Sequence, residues 1–146
     1  MVVLLDAGHG GCLAGHYQTS GKRSPIWEDG SVLYEGEFNR AIKYRLKEMF
    51  QLEGVDYVDI NPQDTDLSLS DRVSIANGYD DSIYVSIHAN AGGGTGCEVF
   101  VSENSSSASV KIAEAIQDQY GPHFYGERWR GIKRKDFYVI KNTCTS

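Results

Sequence analysis

Two histidines stand in equivalent local settings. His9 follows the apolar run Met1-Val-Val-Leu-Leu5 inside Asp6-Ala-Gly-His-Gly-Gly11, and His88 closes Ser82-Ile-Tyr-Val-Ser-Ile-His88. Each comes directly after a stretch that reads as a buried strand and directly before small residues. In a parallel sheet both side chains emerge at the same edge, close together if their strands are neighbours. Glu35, at the start of an amphipathic stretch, is a carboxylate within reach of that edge. Two neutral imidazoles and one carboxylate form a donor set typical of catalytic zinc, with the fourth tetrahedral position left for water. The pKa of such a water falls toward ~7 while the metal polarises the carbonyl under attack. A single histidine after a strand is more commonly a hydrogen-bonded structural group. The recurrence of the same setting beside two glycine-rich segments is what favours a metal. Asp6 to Gly11 could also be read as a phosphate-cradling loop, but it lacks the GxGxxG and GxxxxGK[ST] spacings.

The elements that must position these groups can be read from periodicity. Met1 to Leu5 is a first strand, and residues 12–34, rich in Gly, Ser, Lys, Arg and Asp, read as a long functional loop over its carboxyl end. From Glu37 the apolar residues Phe38, Ile42, Leu46, Met49 and Phe50 recur at helical spacing up to Gly54, a C-cap glycine. Val55 to Ile60 alternates as a strand. Ser68-Leu-Ser-Asp71 opens a short helix, with Leu69, Val73 and Ala76 on one face, that Asn77-Gly78 stops. Ser82 to His88 and Cys97 to Val101 read as strands, and Gly92-Gly93-Gly94 lies between them. Ser105 to Ser107 start a helix that Gly121-Pro122 ends, and Asp136-Phe-Tyr-Val-Ile140 reads as the last strand. Strands alternating with helices predict an α/β fold with a central, mostly parallel sheet, whose ligands bind at the carboxyl ends of the strands.

The 146 residues suit a single domain, and 40% hydrophobic with 23% charged residues exclude a disordered or fibrous chain. The apolar runs are too short to span a bilayer, so no membrane association is expected. The formal charge of −6 disfavours a dedicated nucleic-acid binder. Cys12, Cys97 and Cys144 show neither CxxC nor Cys/His spacing and read as reduced thiols. The start lacks the pattern of a signal peptide, so work outside the cell calls for another export route or a leader already removed.

Taken in order, several motifs carry a resemblance. Asp6-Ala-Gly-His-Gly-Gly11, Glu35 with Asn39, Leu67-Ser-Leu-Ser-Asp-Arg72 with Ala76-Asn77, Ser86-Ile-His-Ala-Asn90, Gly96-Cys-Glu-Val99 and Gly131-Ile-Lys133 together resemble the zinc-dependent N-acetylmuramoyl-L-alanine amidases of the amidase-3 type. Leu33 to Arg40 is similar to versions in phage and gut-bacterial members. The resemblance spans nearly the whole chain. It implies hydrolysis of the amide between N-acetylmuramic acid and L-alanine in bacterial peptidoglycan, with Zn2+ as cofactor and His9, Glu35 and His88 as its ligands. It also implies substrate contacts at Lys133 and Asn90. Glu37 competes with Glu35, but the spacing to Asn39 matches the family from Glu35, and Glu37 in a first helical turn would favour the helix N-terminus. Arg72 is expected to anchor structure through a buried ion pair or backbone carbonyls.

The family pattern continues past the segment matching Phe137 to Thr143 into a strand whose glutamate is the general base. Residues 1–146 are therefore expected to form one amidase-3-like domain that is C-terminally incomplete, without the family's final strand and helix. Its catalytic base then lies beyond Ser146, and Glu98 is a weak substitute whose expected role is to orient a histidine or a loop. A zinc-containing module that binds peptidoglycan with little hydrolysis is the alternative function, and another metal amidohydrolase such as a deacetylase is a third. Arg128, Arg130, Lys133, Arg134 and Lys135 around Trp129 read as a solvated loop or as a cleft wall for anionic wall groups. Tyr17, Trp27 and Tyr34 could stack on sugar or peptide or serve packing, while His16 and His123 read as solvated or structural. A monomer acting at the cell wall, outside the cell or in the periplasm, as an autolysin or a phage lysin, is the expected setting.

Overall fold

The computed structural model describes residues 1–90, 95–120 and 128–144. These form two compact units, one up to Asn90 and one from Thr95 onward. Gly92-Gly93-Gly94, Gly121-Pro122, His123 and Glu127 lie outside the described residues.

The first unit is built on three parallel strands in the order β4-β1-β5: β1 Val2–Ala7, β4 Tyr57–Asp59 and β5 Ser82–Ile87. The continuous apolar run of β1 belongs in the centre, covered on both faces, and Leu4, Leu5 and Ala7 are fully buried. Strand register sets where the two histidines emerge. Ala7 pairs with Ile87, and the Gly8 amide donates to the Ile87 carbonyl at 2.9 Å, so His9 and His88 leave the sheet at one edge. Between β1 and the first helix the expected loop also contains a small antiparallel hairpin, β2 Cys12–Leu13 with β3 His16–Tyr17.

Helix α1 (Glu35–Glu53) ends at Gly54, whose φ of 67° is the left-handed cap anticipated from sequence. Its buried face is not the apolar stripe. Phe38 and Met49 are exposed, whereas Gly36, Asn39, Arg40 and Lys43 are buried. The helix packs over the polar ends of β1 and β4, and the buried carbonyls there need donors. The Lys43 ammonium, 0% exposed, donates to Asp59 Oδ1 at 2.7 Å and to the Asn61 carbonyl at 2.7 Å, while Lys47 reaches Asp59 Oδ2 at 2.8 Å. Burial opposes ionisation of Asp59, yet hydrogen bonds from Lys43 and Lys47 outweigh it and hold the carboxyl below its ordinary value.

Helix α2 (Leu69–Ala76) starts at Ser68, whose hydroxyl accepts the Asp71 amide. It carries Arg72 inward, as expected for an anchor. Arg72 Nη1 pairs with buried Asp6 and donates to the Ala7 carbonyl at 3.1 Å, and Asp6 also accepts from the Tyr84 and Ser86 hydroxyls at 2.6 and 2.8 Å.

In the second unit, β6 (Cys97–Val101) pairs in parallel with β7 (Trp129–Arg134), and α3 (Ser107–Tyr120) supplies buried Ala113. Two sequence readings change here. The basic segment is a strand rather than a solvated loop, because β6 provides a ladder and Trp129 Nε1 donates to Gln117 Oε1 at 3.0 Å. Phe137 to Ile140, read as a strand, instead enters helix α4 (Tyr138–Asn142). Asp136 just before it accepts from the Ser102 hydroxyl and the Glu103 amide, and the Phe137 ring meets Phe100 at 5.1 Å, so local contacts override β propensity. Among the described residues, no helix is long and apolar enough to cross a membrane.

Candidate metal centre

Each of the three expected ligands is delivered by a different element. The turn after β1 brings His9, the first residue of α1 is Glu35, and His88 follows β5. Glu35 Oε1 lies 3.3 Å from His9 Nε2 and 3.2 Å from His88 Nδ1, and one atom from each of the three residues falls within 4.8 Å of the others. Two donors bound at zinc–nitrogen and zinc–oxygen lengths with a tetrahedral angle between them sit about 3.3 Å apart. The two separations fit that edge, and the donor set is the one zinc takes. The imidazole rings stand edge to face with centroids 5.0 Å apart. Exposure is graded: the Glu35 side chain is 11% exposed, His9 18% and His88 45%, so the cluster opens on the His88 side.

The charge state suits a ligand. Burial opposes ionisation of Glu35, but hydrogen bonds from His88 and His9, with the Ala89 amide at 3.1 Å, hold its carboxyl far below the usual carboxylate range. Glu35 is therefore anionic at neutral pH.

Close approach of two glycines sets where these groups sit. Gly8 lies against the His88 ring, and a Cβ there would meet ring atoms at 2.2 to 2.5 Å. At Gly36 a Cβ would come within 1.8 Å of the Gly10 carbonyl oxygen, so only glycine lets the start of α1 abut the His9 turn. Tyr34 gives α1 no side-chain cap, and Tyr17 does that work: its hydroxyl accepts the Gly36 amide at 2.9 Å and its ring stacks on Tyr34 at 4.4 Å.

Glu37, the competing carboxylate, points elsewhere. Its Oε1 accepts the Cys12 amide at 2.6 Å and braces the turn into β2, and it lies in the first turn of α1, where its charge suits the helix N-terminus as expected. Asn90 lies two residues past His88 and is exposed. Glu98 and Lys133 belong to the second unit, where they pair with each other, and Arg130 Nε stands 3.2 Å from Glu98 Oε2. Trp27 is exposed on the loop before α1, and His16 is exposed in β3. Sequence reasoning missed Arg40, Asp64 and Thr19, which hold the His9 turn. The Gly10 amide donates to Thr19 Oγ1 at 2.8 Å, and the Gly11 amide to the Asp64 carbonyl at 2.7 Å. The available signal was polar residues at positions 39, 40 and 43 of a helix, a spacing that shares one face.

A family model described as N-acetylmuramoyl-L-alanine amidase (Amidase_3) matches residues 3–146. The chain is 33% identical over 141 residues to the uncharacterized protein YqiI of Bacillus subtilis (strain 168), with 94% of this chain and 62% of that protein covered. It is 33% identical over 143 residues to the N-acetylmuramoyl-L-alanine amidase LytC of the same organism, with 95% and 26% covered. It thus spans under two thirds of the length of these relatives. Among solved structures, the catalytic domain of CwlV, an N-acetylmuramoyl-L-alanine amidase from Bacillus (Paenibacillus) polymyxa var. colistinus, superposes with a TM-score of 0.76 at 29% identity, covering 99% of this chain and 75% of that one.

Proposed function

This chain belongs to the N-acetylmuramoyl-L-alanine amidase family, and from that membership we propose that it is a zinc-dependent amidase cleaving the bond between N-acetylmuramic acid and L-alanine in bacterial peptidoglycan. The observation that carries the zinc part is the His9–Glu35–His88 cluster, with its 3.2 and 3.3 Å separations about a single carboxylate oxygen. When bound, zinc supplies Lewis acidity for the scissile carbonyl and acidifies a water molecule toward about 7. His9 offers Nε2 and His88 Nδ1 as neutral donors, and Glu35 contributes the one negative charge. A single carboxylate leaves a dication net positive, which preserves its pull on a carbonyl oxygen. The half-exposed His88 side of the cluster is where an extended wall polymer gains access.

Glu98 is not assigned the general-base role, because its carboxylate is already paired with Lys133 and Arg130. Lys133 and Asn90 are proposed substrate contacts. The match over residues 3–146 supports reading them as one amidase domain; that it acts as a monomer at the cell wall or in the periplasm is part of the same proposal.

The test is mass spectrometry of products released from purified peptidoglycan by the 146-residue protein, with zinc or with chelator. Stem peptides with a free L-alanine amino terminus, released in zinc and not in chelator, are the expected result, at a rate about 10²–10⁴-fold below that of an amidase with a placed general base. Zinc-loaded protein that sediments with wall material and releases nothing would overturn the amidase reading in favour of a binding module, and released acetate would point to a deacetylase.

A further inference from the structure

Consecutive residues of α1 hold consecutive carbonyls of the turn that carries His9. Asn39 Nδ2 donates to the Gly8 carbonyl at 3.0 Å, and Arg40 Nη1 donates to the His9 carbonyl at 2.9 Å. Arg40 is buried, and its guanidinium has further neighbours. Nη2 donates to the Gln63 carbonyl at 2.9 Å, and Nε stands 3.2 Å from Asp64 Oδ1. Asp64 in turn accepts the Gly11 amide through its own carbonyl. One guanidinium therefore ties the helix bearing Glu35, the turn bearing His9 and the segment after β4.

That turn needs holding. His9 has a φ of 70°, in the left-handed region, which is strained for a residue with a side chain. Such a conformation persists only where its surroundings over-determine it. Arg72 Nη2 also approaches the His9 carbonyl, at 3.5 Å, a longer contact from a nitrogen that also faces Asp66 Oδ1 at 3.3 Å. A planar fork donates to the His9 and Gln63 carbonyls from two nitrogens at once while its charge faces Asp64, so lysine would satisfy part of the arrangement at most.

We propose that Arg40 is a positioning residue of the metal centre: by fixing the His9 carbonyl against the helix that carries Glu35, it sets the spacing of His9 Nε2 and Glu35 Oε1 and so the affinity for zinc. The proposal rests on the zinc reading of the cluster. Partners that orient ligands typically change metal affinity by about 10–100-fold when removed.

The experiment compares zinc dissociation constants, by competition with a chromophoric chelator, for wild-type protein and the Arg40→Met, Arg40→Lys and Lys43→Met variants, alongside urea midpoints of the metal-free forms. Lys43 is equally buried one turn along the same helix, but its ammonium serves Asp59 and Asn61. A merely structural role for Arg40 lowers stability in both methionine variants and leaves the zinc affinity of folded protein unchanged. The expected result is zinc binding weaker by about 10–100-fold in Arg40→Met, intermediate in Arg40→Lys and close to wild type in Lys43→Met. Unchanged affinity in the Arg40 variants, or equal loss in Arg40→Met and Lys43→Met, overturns the proposal. Should Arg40→Met not fold, Arg40→Lys decides it by the same comparison. Wild-type protein that binds no zinc removes the underlying reading and the proposal together, whereas zinc-binding wild type with unaffected Arg40 variants removes the proposal alone.

Discussion

Replacing Gly8 with alanine separates the metal site from the fold. The added methyl would lie 2.2 Å from His88 Cε1, 2.4 Å from Nε2 and 2.5 Å from Nδ1, where ordinary contact starts at 3.4 Å. The ring must withdraw by about an ångström, while metal–ligand lengths tolerate only about ±0.2 Å. His88 is 45% exposed and free to swing outward, so relief costs the fold little. The Gly8 amide keeps its bond to Ile87, and Gly→Ala at an unstrained backbone position gains about 0.4–1 kcal/mol from the unfolded chain. Stability of the metal-free protein should thus change by no more than about 1 kcal/mol. Zinc affinity should fall by about 100-fold, the upper end of what displacing a ligand's support produces, or about 2.7 kcal/mol. Chelator competition and urea denaturation in chelator measure the two quantities. Wild-type zinc affinity in Gly8→Ala would refute the assignment of His88 as a ligand, and a loss of several kcal/mol in the metal-free protein would refute the claim that the ring yields freely.

Further predictions address the network beneath the site and the ion itself. Arg72→Met removes the cation from Asp6, which stays buried with only the Tyr84 and Ser86 hydroxyls, and should cost about 3–5 kcal/mol in urea denaturation; a loss below about 1 kcal/mol would contradict the pair's role. The folded-state pKa of Asp59 lies below its unfolded value of about 3.9, so its contribution is present above that value and disappears as pH falls through the folded pKa. Asp59→Asn should accordingly flatten the acid limb of stability below about pH 4, and an unchanged slope would count against the Lys43–Asp59–Lys47 cluster. Zinc at about 100 times its dissociation constant should raise stability by about 2.7 kcal/mol over chelator-treated protein, seen as a higher Tm, and equal melting points would argue against binding to the folded state.

Much of the frame could be read from residue order. The run Val2 to Leu5, the run Ile83 to Ile87 and the glycine at position 54 mark β1, β5 and the end of α1 because each carries a strong local signal. The metal cluster was legible only conditionally: its two histidines meet because β1 and β5 are neighbours with Ala7 opposite Ile87, and adjacency is a long-range fact. The buried face of α1 does not follow its apolar periodicity, because this helix covers carbonyls and presents Asn39, Arg40 and Lys43 to them. Strand β7 was hidden by its charges, since Lys133 and Arg130 are satisfied by Glu98 on the neighbouring strand and no local pattern announces that pairing. The β-rich letters of Phe137 to Ile140 gave way to tertiary contacts at Asp136 and Phe137.

The proposed activity depends most on His9, Glu35 and His88 acting together as a zinc centre. X-ray absorption at the zinc edge on protein purified without added metal tests this directly. It should report nitrogen and oxygen donors alone, at about 2.0–2.2 Å, and the signal should be lost in His9→Ala and His88→Ala. Protein without zinc, sulfur donors at about 2.3 Å, or a spectrum unchanged in His88→Ala would contradict that zinc centre.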